Sequence, residues 1–509
     1  MRKQYQSMLL FSLLSIPGTV SAVTLTADTE TKFSNYQLVI ADEPTVEIHT
    51  AAWELATFLT QVTGAKFSIV PASRVETDHR IIVGRNKALG DLDSKIDWDA
   101  LGPDGYVIRT VGKTLIIAGG PRRGTINAAY TFLEDIVGCR WYTPHFSVIP
   151  SRETVSIKKL NVQHVPVFEA RFVNGGPSTD VDWSVRRRMN RFTGDVGFGS
   201  SHAEKRASWR RFMYNPKVAG SYYSAVWQVH TLGHSLLVPA SEFDRNPEYF
   251  ALIDGKRTKG GQPCLSHPEL VNFITGQAIE WLKLDPGADI IAISQGDFYS
   301  ACQCEACTSN YETFGPSGAM LRFVNAVAAK LEIHKPGILV STLAYQWTLE
   351  PPKNVTPRKN VIIRYAPIRA CSHHAYDECD FNKEREIYDY LEEWVRISER
   401  VWVWSYALPS HDFHPYPAIN ALSRNFKRMR DAGVKGHFVQ TAIRHTMTGG
   451  LIDLTSYLIT KLMWDPDYVV EQGIKEFSEA LYGEAAAQFI AYVEMVNDPD
   501  TYDVNRHRP

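Results

Sequence analysis

From about residue 168 the chain repeats one pattern: a short β-branched run, a polar loop, then a stretch with helical apolar spacing. Runs at 168–174, 226–231, 289–294 (DIIAIS), 338–345 (ILVSTLAY), 361–366 (VIIRYA), 401–405 (VWVWS) and 436–441 (GHFVQT) read as strands. Helical patterns at 267–282, 319–333, 383–398 and 420–432 fall between them, and 450–463 and 469–482 close the series. Near-continuous apolar strands alternating with helices demand a parallel sheet covered by helices. Sustained over about 300 residues, the rhythm favours a (β/α)8 TIM-type barrel over a doubly wound sheet.

A smaller α/β unit precedes the barrel. Strands are expected at 36–41, 66–71, 80–83, 106–110 and 113–118, with a helix over 44–63 that stops at Gly64. Gly119-Gly120-Pro121-Arg122-Arg123-Gly124 then opens a helix over 125–137. This turn lacks the Lys-Ser/Thr of a P-loop and the dinucleotide spacing, so it reads as a structural turn. Residues 147–167 read as a strand-bearing linker ending at Pro166. The expected division is 1–22 as a signal peptide, 23–160 as the α/β domain, 168–485 as the barrel and 486–509 as a C-terminal helical tail.

The signal peptide rests on Met1-Arg2-Lys3, an apolar run from Met8 to Ile16, and small residues Val20-Ser21-Ala22 before the expected cut. Its removal takes two cations with it, so the formal charge moves from −2 to −4. The apolar run is too short to span a bilayer, and the expectation is a periplasmic or secreted protein with no membrane anchor. With 54 Lys+Arg against 56 Asp+Glu, no cation excess exists to release counterions, which excludes bulk-charge binding of nucleic acid.

Function in a barrel collects at the C-terminal ends of its strands. Those ends carry His230 and His234, then Gln295 and Asp297, Tyr345 and Gln346, Trp404 and Tyr406, and Gln440. Amides, His and carboxylates meet sugar hydroxyls, and Trp and Tyr meet the apolar sugar faces. Glycoside hydrolysis needs an acid for the leaving oxygen and a nucleophile, base or substrate group opposite. Asp297 is the best-placed carboxylate, with Glu248 and Glu305 as candidate partners on neighbouring loops. Glu248 reads equally well as a helix-start residue.

Seven Cys follow the expected cut. Cys139 follows an apolar helix and reads as a buried free thiol. Cys302, Cys304 and Cys307 offer three ligands of a tetrahedral zinc, with a fourth from Cys264, Cys371, Cys379 or His373. Disulfides are the alternative, favoured by export. No cofactor is required by the expected chemistry; zinc would be structural.

The segments TAAWELATFLTQVTGAKFSIV, IIVGR and GPDGYVIRTVGKTLIIAGGPRRGTINAAYTFLEDIVGCRWYTP resemble the domain preceding the barrel in bacterial α-glucuronidases and hexosaminidases. NPEYFALIDGKR, CLSHPEL, SQGDFYSACQCEACT, GAMLRFVNAVAAKL, STLAYQWTLEPPKNV, VWVWSYA and YLITKLMWDPD resemble domain-of-unknown-function family 4838. Some of its members are similar to glycoside hydrolase family 163, endo-β-N-acetylglucosaminidases acting on complex N-glycans. The resemblance implies a glycan substrate and a retaining mechanism in which the substrate's acetamide is the nucleophile. It also implies an acid near Val439 or Gln440, where this sequence has none, and Asp297 has no adjacent Glu. Two alternatives stand beside a hydrolase: a non-catalytic glycan-binding protein on a degenerate barrel, and a polysaccharide lyase using Tyr345 and a His.

Overall fold

The computed structural model describes residues 23–191, 215–225, 229–233, 236–371, 373–407, 417–441 and 451–498. The expected signal peptide, His234 and part of the expected 226–231 strand lie outside them. Among the described residues, no helix is long and apolar enough to cross a membrane.

The N-terminal unit is a six-stranded sheet. Tyr106–Val111, Thr114–Gly119, Arg80–Val83, Gln37–Ile40 and Ile69–Pro71 follow one another across it. The helix Val46–Thr63 covers one face with Leu55, Phe58, Leu59 and Val62. Thr45 caps its start by accepting from the Ile48 amide, and Gly64 ends it at φ 72° with its N–H on the Thr60 carbonyl. The expected linker folds into this unit instead of spanning a gap. Thr154–Ile157 pairs with Val23–Thr26, and Asn161–His164 adds an antiparallel edge strand beside Tyr106–Val111. Unpaired backbone groups on that edge find partners this way.

The glycine turn is structural, as its sequence indicated. A Cβ on Gly120 would lie 1.8 Å from the Gly102 carbonyl oxygen, and one on Gly124 would lie 2.3 Å from that of Gly105. Backbones meet here too closely for any side chain. Its two arginines reach across to the barrel. Arg122 donates to the carbonyls of Gly220 and Ser221 and pairs with Asp289 at 3.1 Å. Arg123, fully buried, donates to those of Lys217 and Ala219.

The second unit is a curled parallel sheet. Ala170–Asn174, Gly436–Gln440, Val401–Tyr406, Val361–Tyr365, Leu339–Ala344 and Ile290–Ala292 are neighbours in that order. Two short irregular segments fill the remaining gap. The Ile290 amide donates to Tyr223 O at 3.0 Å and Ala225 N to Ile290 O at 2.8 Å. Tyr222 N donates to Asn190 O at 2.8 Å, and Asn190 N to Arg171 O at 3.2 Å, back on the first strand. The ring thus closes through backbone hydrogen bonds, which is the (β/α)8 arrangement with two positions reduced to a few residues. Of the expected 226–231 strand, residues 226–228 lie outside the described residues and 229–231 are not strand, with His230 at φ 56°; pairing with Ile290 is seen at Tyr223–Ala225.

Helices Leu270–Leu284, Glu305–His334, Ile387–Ile397 and Ile419–Ala432 cover the ring, and Ile452–Trp464 follows the last strand. Between Leu339–Ala344 and Val361–Tyr365 the connection is only a short turn, Gln346–Thr348, and irregular chain. The long helix begins at Glu305, fourteen residues before its expected start, because Gly315 (φ 75°) and Pro316 break the periodicity that marks its second half.

Candidate active site at the strand ends

Asp297 stands in the turn after Ile290–Ala292, exposed at the C-terminal face. The Tyr345 hydroxyl donates to its Oδ1 at 2.8 Å, and Gln346 Nε2 lies 3.4 Å from the same oxygen and 3.0 Å from the Tyr345 hydroxyl. Burial, then the bond to Asp297, raises the Tyr345 hydroxyl above the ordinary tyrosine range, so it stays a proton donor. Gln346 reaches this position at φ 53°, a backbone conformation that few non-glycine residues take.

The turn itself is held by residues deeper in the fold. Gln262 is buried; its Nε2 donates to the Gly296 and Phe298 carbonyls at 3.1 and 2.7 Å, and its Oε1 accepts from Gly296 N at 2.9 Å. The backbones of Gly233 and Gly296 abut: a Cβ on Gly233 would sit 2.6 Å from Gly296 Cα. Sequence reading missed Gln262 because it lies in an irregular segment 35 residues from Asp297, far from any strand end.

The expected site residues divide into three groups. Tyr345, Gln346 and Asp297 form one hydrogen-bonded cluster, with the His230 ring 5.9 Å from that of Tyr345 and its Nδ1 2.9 Å from the Gln295 carbonyl oxygen. Trp404, Tyr406 and Gln440 form a second. The Trp404 and Tyr406 rings stack at 6.2 Å, and Trp404 Nε1 donates to Gln440 Oε1 at 3.1 Å. The buried Arg364 guanidinium lies 4.8 Å over the Trp404 ring.

The remaining three, Gln295, Glu248 and Glu305, belong to neither side-chain cluster. Gln295 was expected to face a sugar. It is 1% exposed, and its amide donates to Tyr345 O at 2.9 Å and Thr348 Oγ1 at 2.6 Å. It fixes the Tyr345 loop and leaves no amide proton for a ligand. Glu248 sits in the short turn Pro247–Tyr249, and Glu305 is the exposed first residue of its helix, where a carboxylate complements the helix N-terminus. Among the described residues, no hydrogen bond or ion pair joins either to Asp297.

The sulfur atoms of Cys264, Cys302, Cys304 and Cys307 all lie within 4.8 Å of one another, with Cys264 Sγ 3.6 Å from Cys304 Sγ and 3.8 Å from Cys307 Sγ. Of the four residues open as a fourth member, the fold selects Cys264. Cys371 and Cys379 instead gather elsewhere with His374, and Cys139 is a buried free thiol pushed up to about 12 by burial.

The comparisons agree with this architecture. The model of "Glycosyl hydrolase family 67 N-terminus" matches residues 22–132. No curated protein matches the sequence. One similar solved structure is described as "A novel family GH115 4-O-Methyl-alpha-glucuronidase, BtGH115A, with specificity for decorated arabinogalactans". It shares 14% identity at a TM-score of 0.60, covering 93% of this chain and 62% of that one. Another is described as a "GH138 enzyme targeting pectin rhamnogalacturonan II", at 11% identity and a TM-score of 0.55, covering 91% and 69%. This chain therefore spans about three fifths of the first structure's length, and at these identities the likeness is one of fold. The model described as "Domain of unknown function (DUF4838)" matches residues 141–494, most of the sequence, and the chain belongs to that family.

Proposed function

We propose that the protein is a glycoside hydrolase acting on complex glycans, with Asp297 as the central carboxylate. The observation that carries this reading is the Asp297–Tyr345–Gln346 cluster at the C-terminal end of the barrel strands, beside the Trp404–Tyr406 stack. The similarity to a glycosyl hydrolase N-terminal domain and to barrel enzymes acting on glycans supports the same class.

A hydrolase using two protein carboxylates places them about 5–10 Å apart across the glycosidic bond. The described cluster holds one carboxylate with a tyrosine hydroxyl donor. That set suits a substrate whose own acetamide attacks the anomeric carbon. As the acetamide oxygen bonds to the anomeric carbon and the glycosidic C–O bond breaks, Asp297 would take the acetamide N–H proton, Tyr345, released from Asp297, would donate a hydrogen bond to the acetamide group, and the departing oxygen would take its proton from water. The proposed reaction is therefore a retaining, endo-β-N-acetylglucosaminidase-like cleavage, in a protein exported to the periplasm or the medium.

The test is a panel of N-glycans, uronic-acid glycans and algal polysaccharides with product mass readout. Asp297→Asn is expected to lower turnover at least about a hundredfold. Turnover near that of the unaltered protein in the variant would remove Asp297 from the mechanism. Retention at the anomeric carbon and inhibition by a thiazoline mimic of the cyclised acetamide are expected; inversion would overturn the acetamide route. The single carboxylate also favours a second reading, a glycan-binding protein without turnover. Calorimetric binding with no product across the panel would establish it, and an unsaturated, ultraviolet-absorbing product would indicate a lyase.

A further inference from the structure

The loop that carries Asp297 runs directly into the cysteine cluster. Cys302 follows Asp297 by five residues, and Cys264 follows Gln262, which holds the Asp297 turn, by two. The four thiols come from two chain segments and pack under the hairpin Ala251–Ile253 and Lys256–Thr258. Cys264, Cys302 and Cys307 are buried and Cys304 partly so. Four close sulfurs without a bond between them are a poor resting arrangement for neutral thiols, which are weak donors and weak acceptors. Separations of 3.6 and 3.8 Å are far beyond the 2.03–2.05 Å of a disulfide. They match the edge of a tetrahedron, about 3.8 Å, around a metal at about 2.3 Å from each sulfur.

We propose that Cys264, Cys302, Cys304 and Cys307 bind one zinc ion as a closed structural site. Binding is ligand exchange without electron transfer: the thiols release their protons to solvent as four Zn–S bonds form, giving a centre of net charge −2. The surroundings suit that charge. The Leu252 amide donates to Cys302 Sγ at 3.3 Å, and Arg257 Nη1 lies 3.7 Å from the same sulfur. Cys304 is the N-cap of the helix Glu305–His334, so the positive end of that helix faces the cluster. Amide and guanidinium donors of this kind hold thiolate ligands in place around zinc. The centre ties the 262–264 segment, the Asp297 loop, the hairpin and the long helix at one point. It positions the strand-end turn and takes no part in bond cleavage. This site stands on the cysteine geometry alone, whatever the protein does to a glycan.

The experiment is elemental analysis of the full-length protein purified without chelator, beside mass spectrometry of its thiols. About one zinc per chain is expected. Exchange for cobalt(II) is expected to give the intense visible bands and near-ultraviolet charge-transfer absorption of tetrahedral thiolate ligation. Cys264→Ser should lose most of the bound metal, whereas Cys139→Ser should keep it. Metal-free protein with four free thiols here, or with disulfides among these cysteines, would overturn the proposal. The cobalt spectrum of the unaltered protein keeps the test decisive where the Cys264 variant does not fold. A glycan screen without turnover bears only on the hydrolase reading, and a metal-free centre only on this one.

Discussion

At the scale of single residues, the cluster at Asp297 is defined by one short bond. Tyr345→Phe keeps the ring and its packing and removes the hydroxyl that reaches Asp297 at 2.8 Å. Turnover is expected to fall by about 10- to 100-fold, with little change in stability, because the lost group acts on developing charge. Steady-state kinetics beside a denaturation curve would check this; unchanged kcat would remove Tyr345 from the chemistry. Since the Tyr345 hydroxyl is raised above its ordinary range, no loss of activity from its ionisation is expected below about pH 10. Residue types at strand ends were legible in the sequence, since the C-terminal ends of barrel strands gather at one face. The commitment of Gln295 to the Tyr345 loop was not, because a glutamine reads alike whether its amide meets a sugar or a carbonyl.

At the scale of elements, the turn after Ile290–Ala292 depends on chain distant in sequence. Gln262→Ala would remove the 2.9 Å acceptor of the buried Gly296 amide and the amide group that donates to the Gly296 and Phe298 carbonyls. A loss of about 1–3 kcal/mol is expected for such a buried unsatisfied group, with lowered turnover because Asp297 is displaced. Denaturant midpoints and kcat on one preparation would test both; a stable variant with full turnover would remove Gln262 from this positioning role. Most strands and helices were legible because apolar periodicity marks them. The pairing at 222–225 was not, since it takes only a few hydrogen bonds and carries no alternation. The helix before Gly315 was also missed, because two breakers in its middle disguise one element as the start of another.

At the scale of the whole molecule, the two units share one continuous apolar core and a buried ionic centre. Glu134, from the N-terminal unit, meets Arg187 at 2.6 Å, Arg188 at 2.5 Å and Lys461 at 2.8 Å from the barrel, all with little or no exposure. Burial opposes its charge, but these three cations hold its carboxyl well below the ordinary range. Glu134→Ala would strand them, and a loss of about 3–5 kcal/mol is expected in denaturant unfolding. A loss below about 1 kcal/mol would mean that the centre adds little. Stability should also fall on acidification. Burial lowers His164 to about 4 and His437 to about 3, so the unfolded chain takes up these protons first as pH drops below about 6.5. Glu134 acts in the same direction: its depressed value stabilises the fold above the unfolded carboxylate range, and that share is lost as pH falls through the folded value. Denaturant midpoints at about pH 7.5 and about pH 5 would test the histidines. An equal midpoint at both would contradict their burial as neutral rings.

The sequence by itself determined the order of elements, the barrel class, the family and the residue types at the strand ends. Each is written in local spacing: a period of two or 3.6, a capping glycine, a motif such as SQGDFYSACQCEACT. Tertiary structure alone decided which of these residues meet. It chose Cys264 as the fourth thiol, set Gln262 beneath Asp297, turned Gln295 inward and locked Arg122, Arg123 and Glu134 across the two units. These are contacts between residues up to 327 positions apart. Spacing along a chain fixes which face a side chain takes on its own element, and only the packing of elements fixes what stands opposite.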